Sequence, residues 1–130
     1  MEQDQILSEE SAREQLQSLL DFYGVDLDDL GDVANRVSKR LIGAIQQGKI
    51  EVVIDQDGIQ VTQNTSNGKS LVYSEITGRA KVAMEKYEGS HAKLYGLLAV
   101  LAKRPVVEIQ KLSALDLSIA EYLALIFLAG

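Results

Sequence analysis

Side chains that could carry chemistry are few in this chain and lie far apart. His91 is the lone histidine and the first candidate for a general base. A general base needs an orienting partner and a place for its substrate, and the flanking sequence offers neither. Following Ser90 at the start of a helix, it reads as a surface residue. The run Asp26-Leu-Asp-Asp-Leu-Gly-Asp32 invites calcium chemistry. A calcium loop of the EF-hand kind alternates oxygen ligands, with Gly sixth and Glu twelfth. Gly31 is sixth from Asp26 and Asp28 fits the alternation, but Leu27 and Leu30 interrupt it and Val37 stands twelfth. Those leucines read as anchors of a helical turn, with Asp32 as a helix cap. Asp55 and Asp57 beside Gly58 are what a hairpin turn requires. Gly43, Gly48, Gly78, Gly89 and Gly96 form no phosphate loop or dinucleotide fingerprint. There is no cysteine, hence no thiolate nucleophile, thiolate metal site or disulfide. No nucleophile, base and oxyanion donor come together. The expectation is a protein without catalytic residues, metal or cofactor.

The remaining signal is apolar surface. Residues 115–130 read Leu-Asp-Leu-Ser-Ile-Ala-Glu-Tyr-Leu-Ala-Leu-Ile-Phe-Leu-Ala-Gly. Asp116, Ser118 and Glu121 give the first two turns a polar side, which disappears from Tyr122 to Ala129. A helix apolar all round must be covered all round, and a small chain has limited core to wrap its own terminus. The segment is too short for a bilayer, which takes roughly 20 apolar residues. The expectation is a contact helix, with Leu115, Ile119, Tyr122, Leu123, Ile126 and Phe127 as the partner-binding set and a homo-oligomer as the resting form.

Composition fits a single domain over residues 1–130: 46% of residues are hydrophobic and one is proline. The acidic start Met-Glu-Gln-Asp-Gln lacks the basic and apolar regions of a signal peptide, so the expected location is the cytoplasm. Residues 1–35 hold ten acids against one base, a net of −9. The other 95 hold twelve bases and nine acids, a net of +3, which brings the whole chain to −6. Segments of opposite sign can steer one copy toward another or toward a charged client. No stretch combines clustered Lys/Arg with exposed aromatics, so nucleic acid is not an expected partner.

These residues must be held by elements whose periods can be read directly. Residues 8–23 form a helix, with Ser8 or Ser11 as cap, Leu16, Leu19, Leu20 and Tyr23 on one face, and Gly24 as stop. An acidic connector over 25–31 precedes a second helix over 32–47, striped by Val33, Val37, Leu41, Ile42 and Ile45. The period then changes from 3.6 to 2. Residues 49–55, 59–63 and 70–74 alternate as three strands, with turns at Gln56-Asp57-Gly58 and Asn67-Gly68. Helices follow over 79–87, 91–102, 106–111 and from Ser113 onward. The fold class is α+β: N-terminal helices, a small three-stranded antiparallel meander and a C-terminal helical subdomain.

The half from Ser70 onward resembles the tail assembly chaperones of long-tailed bacteriophages. The strand Leu71-Val-Tyr-Ser, then Ile76-Thr-Gly-Arg-Ala and Leu94-Tyr-Gly-Leu-Leu-Ala-Val-Leu-Ala, carry the likeness, with Val107-Glu-Ile-Gln-Lys-Leu-Ser-Ala-Leu-Asp116 and the closing helix Tyr122-Leu-Ala-Leu-Ile-Phe-Leu. The resemblance implies a non-enzymatic protein of the infected cell's cytoplasm that shields the tape measure protein and recruits tail tube subunits. In many such phages a programmed frameshift also extends the short form. An acidic secretion-type chaperone, a small α+β dimer whose client wraps the sheet, fits the same size and charge.

Overall fold

The computed structural model describes residues 7–129, so the acidic start and Gly130 lie outside the described residues. Among the described residues, six α-helices, one 3-10 helix and a three-stranded antiparallel sheet make an α+β arrangement. Helix α1, Glu9–Tyr23, begins where the Ser8 side chain accepts the Ser11 N–H at 3.1 Å. It ends at Gly24, whose φ of 68° is open to a residue without Cβ. Ala12, Leu16, Leu19 and Leu20 form its buried face.

The acidic connector is a 3-10 helix, Leu27–Val33, and its aspartates are local fasteners. The Asp26 carboxylate accepts the Asp28 N–H at 3.0 Å, and the Asp29 carboxylate accepts the Asp26 N–H at 3.1 Å. Leu27 and Leu30 turn onto the core while Asp26, Asp28, Asp29 and Asp32 face solvent. Asp32 does not cap the second helix. Helix α2 spans Ala34–Gln46, and the Ala34 N–H is taken by the Gly31 carbonyl, because the 3-10 turn runs straight into it. Gly31, with φ 65° and ψ −135°, kinks the 3-10 helix itself, between Leu30 and Asp32.

Strands β1 (Ile50–Asp55), β2 (Gly58–Asn64) and β3 (Ser70–Ser74) pair in that order, with Val52 opposite Val61 and Val61 opposite Tyr73. The Asp55 carboxylate accepts the Asp57 N–H at 2.8 Å, so these acids serve the hairpin. Ile50, Ile59, Val61, Leu71 and Tyr73 are buried. Val53, 52% exposed, and Val72, 42% exposed, share the other face by register.

Helix α3 is shorter than its pattern predicts, Gly78–Met84 instead of 79–87. The chain leaves the helix so that the Tyr87 ring can lie over Gly96 of α4, Ser90–Ala102, where any Cβ would collide with it. Helix α5, Val106–Gln110, follows Pro105, and α6, Ala114–Ala129, returns through the middle of the molecule. It touches α1, α2 and α4. The Phe127 ring sits 5.6 Å from that of Tyr23 and 6.1 Å from that of Tyr73, tying α6 to both the first helix and the sheet.

Candidate functional site

The start of α6 is fixed by one carboxylate. Asp116 is 2% exposed and accepts the Ser66 N–H at 2.9 Å, the Ser66 hydroxyl at 2.8 Å and the Ser113 hydroxyl at 3.0 Å. Burial alone would raise its pKa, but these donors and the nearby Lys49 cation outweigh burial and hold it below the usual carboxylate value. The Ser113 hydroxyl also accepts the Asp116 N–H at 3.3 Å, so Ser113 caps α6 as its sequence predicts. Beneath this cluster the Gln63 side chain donates to the Asp116 carbonyl at 2.8 Å and accepts the Tyr73 hydroxyl at 2.7 Å. Gln63 and Tyr73 are fully buried, and burial drives the Tyr73 phenol well above its ordinary pKa, with Asp116 adding to the shift. A buried polar chain with every end satisfied locks geometry. Here it locks the β2–β3 turn to the first turn of α6.

The packing of α6 differs from the expected contact set. Ile119, Leu123, Ile126 and Phe127 are core residues, each at most 1% exposed. The reason is topological: α6 is flanked by α1, α2 and α4, so a nearly uniform apolar helix finds cover within its own chain. Leu115, 38% exposed, and the half-buried Tyr122 remain outward. The half-buried Leu125 and Leu128 join them on the outer side. The outer side of α6 thus carries exposed Leu115 and the half-buried Leu117, Tyr122, Leu125 and Leu128, which still pack on the core, with Ser118 and Glu121 among them. Sequence periodicity could not single out Leu125 and Leu128, because every face of this helix is apolar.

Helices α2 and α6 form the walls of a cleft of about 550 Å³. Leu115, Ile119 and Tyr122 line one wall and Ala44 the floor of the other. Arg36, Lys39, Arg40 and Lys49 rim it, and the first three share one face of α2 by their spacing. Among the described residues no carboxylate lines the cleft, although Asp116 lies close enough to Lys49 to feel its charge. The arrangement offers apolar contact edged by cations. It suits a protein surface.

His91, read from its neighbours as lacking a partner, has one in space. Its Nδ1 lies 3.5 Å from the Glu121 carboxylate, which also accepts the Tyr95 hydroxyl at 2.7 Å. That hydrogen bond, chiefly, raises the Tyr95 pKa. The contact spans thirty residues, so local sequence carries no trace of it. The cluster joins α4 to α6 at the surface, with the His91 side chain 73% exposed. Among the described residues no group of three or more His, Cys, Asp or Glu could hold a metal ion, and no helix is long and apolar enough to cross a membrane. No protein-family model, curated protein or solved structure matches the chain.

Proposed function

We propose that this chain is a non-enzymatic assembly chaperone of the phage tail type, which shields a tape measure protein and recruits tail tube subunits through apolar helix contacts. The observation that supports the reading is the outer side of α6, where Leu115 is exposed, Tyr122, Leu125 and Leu128 are half-buried, and Leu115 and Tyr122 line the cation-rimmed cleft. A long helical client exposes apolar ridges before its final partners cover them, and such ridges aggregate. An outer side of this kind accepts such a ridge by helix-on-helix packing. Half-buried leucines supply the adhesive, and the charged rim keeps the contact reversible.

Co-expression with a tape measure protein of a long-tailed phage tests the reading. The wild-type chain is expected to keep the client soluble in a stable complex. A Leu125→Gln/Leu128→Gln variant, still folded by circular dichroism, is expected to lose it. A client that stays insoluble with the wild type, or equally soluble with the variant, overturns the proposal. The secretion-chaperone alternative is favoured by the open sheet face bearing Val53 and Val72. In that case Val53→Gln/Val72→Gln, and not the α6 variant, releases the client.

A further inference from the structure

The cleft between α2 and α6 carries a charge opposite to that of the molecule. The chain is net −6, yet Arg36, Lys39, Arg40 and Lys49 all line this one cleft, which leaves −10 for the rest. The three α2 cations are exposed, and Lys49, just past the end of α2, is half-buried. Arg36 and Arg40 stand at i,i+4, where like charges destabilise a helix. Among the described residues none of the four forms an ion pair: the pairs are Glu9–Arg13, His91–Glu121, Lys93–Glu85 and Arg104–Glu108. Asp116 feels the charge of Lys49, but it is buried beneath three donors of its own chain. Lys39 also borders a second groove with Glu9, where Glu9 is held by Arg13 at 2.7 Å. An anion entering the cleft therefore meets four cations and relieves their mutual repulsion.

The rest of the lining is apolar. Leu115, Ile119 and Tyr122 follow at four- and three-residue spacing, so a single face of α6 makes one wall. On the α2 side the surface is low: Ala44 is buried, and a Cβ built on Gly43 would meet nothing within 4 Å. We infer that this cleft binds an acidic helical segment of a partner protein, its carboxylates on the four cations and an apolar side chain of the same segment against Leu115 and Tyr122. Arginine presents a planar fork of donors that matches a carboxylate. Arg36 and Arg40 are about 6 Å apart along the helix axis, at 1.5 Å per residue, and carboxylates four residues apart on a helix lying alongside have the same separation. Inorganic phosphate makes no use of the apolar wall. A nucleic acid longer than the cleft runs on over a surface that is net negative, whereas a short acidic segment feels mainly the cations within a Debye length, about 8 Å at physiological salt.

The inference rests on the contact role proposed above and adds the chemistry of the client segment. Fluorescence anisotropy with a labelled peptide repeating Glu-Leu-Ala-Glu tests it. The wild-type chain is expected to bind this peptide at low ionic strength and release it near 1 M salt, where the Debye length is about 3 Å. The Gln-Leu-Ala-Gln counterpart should bind about tenfold more weakly, the combined effect of several charges at a solvated rim. Arg36→Glu/Arg40→Glu should weaken the acidic peptide by a similar factor with unchanged circular dichroism. Gly43→Glu keeps the test decisive where that variant folds poorly, because it replaces a helix glycine by a better helix former. Its carboxylate stands three and four residues after Arg40 and Lys39 and should displace the peptide, while Gly43→Gln should retain it better. Leu115→Gln should weaken the peptide as well. A wild-type chain that ignores the acidic peptide, holds the Gln counterpart equally well, or prefers a single-stranded oligonucleotide would overturn the inference. Equal binding by Gly43→Glu and Gly43→Gln would do the same. The two proposals separate cleanly. Acidic-peptide binding by a chain that holds no tape measure protein keeps the inference and removes the client reading. A tape measure client held equally by wild type and Arg36→Glu/Arg40→Glu keeps the client reading and removes the inference.

Discussion

Asp116 is the one buried charged residue among the described residues, and its contribution has a definite pH signature. Three donors converge on its buried carboxylate, and the Gln63 amide reaches its carbonyl. Hydrogen bonds to a charged acceptor contribute more than neutral ones, so Asp116→Asn is expected to cost about 1–3 kcal/mol at neutral pH. The folded carboxyl titrates below its unfolded counterpart. As pH falls, the unfolded chain therefore takes up this proton first. The contribution is complete above the unfolded titration, near pH 4, and is lost as pH falls through the folded value. Urea unfolding of wild type and Asp116→Asn at pH 7 and pH 3 should show the gap narrowing in acid. A gap of equal size at both values would mean that the carboxylate's charge does not matter to the fold.

At the scale of elements, helices and strands were legible because apolar period, caps and turns agree, whereas facing was not. The 4-3 spacing of Leu16, Leu19 and Leu20 marked the inner side of α1, and the alternation of Ile59, Val61 and Leu71 marked that of the sheet. Gln63 shares their inward parity, yet its partners, Tyr73 and the Asp116 carbonyl, are visible only in three dimensions. In α6 the pattern is silent, since a helix apolar on every side has no phase to read. Its neighbours supply the phase, and they buried four of the six residues expected at the surface. Phe127, its ring tilted against those of Tyr23 and Tyr73, therefore belongs to stability. Phe127→Ala is expected to cost about 3–5 kcal/mol, the penalty for emptying a core aromatic site, while Leu125→Gln costs far less. Chemical denaturation of the two variants decides whether the phase is right: comparable losses would place both on one kind of surface.

Taken as a whole molecule, the chain wraps its N-terminal helices, α4 and its sheet around the last helix, and this bears on how a contact role could operate. The proposed contact role has two possible modes. Either the helix stays seated and offers only its outer side, or it swings out and presents Ile119, Leu123, Ile126 and Phe127 as well. The second mode would strip the central element from the core, exposing the inner faces of α1, α2 and α4 at once. Opening free energies in a native protein run from about zero at frayed segments to the global value in the core, and α6 has the burial of the upper end. Helix α3 has that of the lower end, with Ala80 its one buried residue and Val82 72% exposed. Amide hydrogen exchange is therefore expected to find residues 119–127 exchanging only through global unfolding, and residues 78–84 through local opening. Adding a saturating client should leave residues 119–127 as protected as before or slow their exchange together. Core amides of α6 that exchanged as readily as those of α3 would instead favour the swung-out mode, and with it a docking surface built from the very residues that the resting fold conceals.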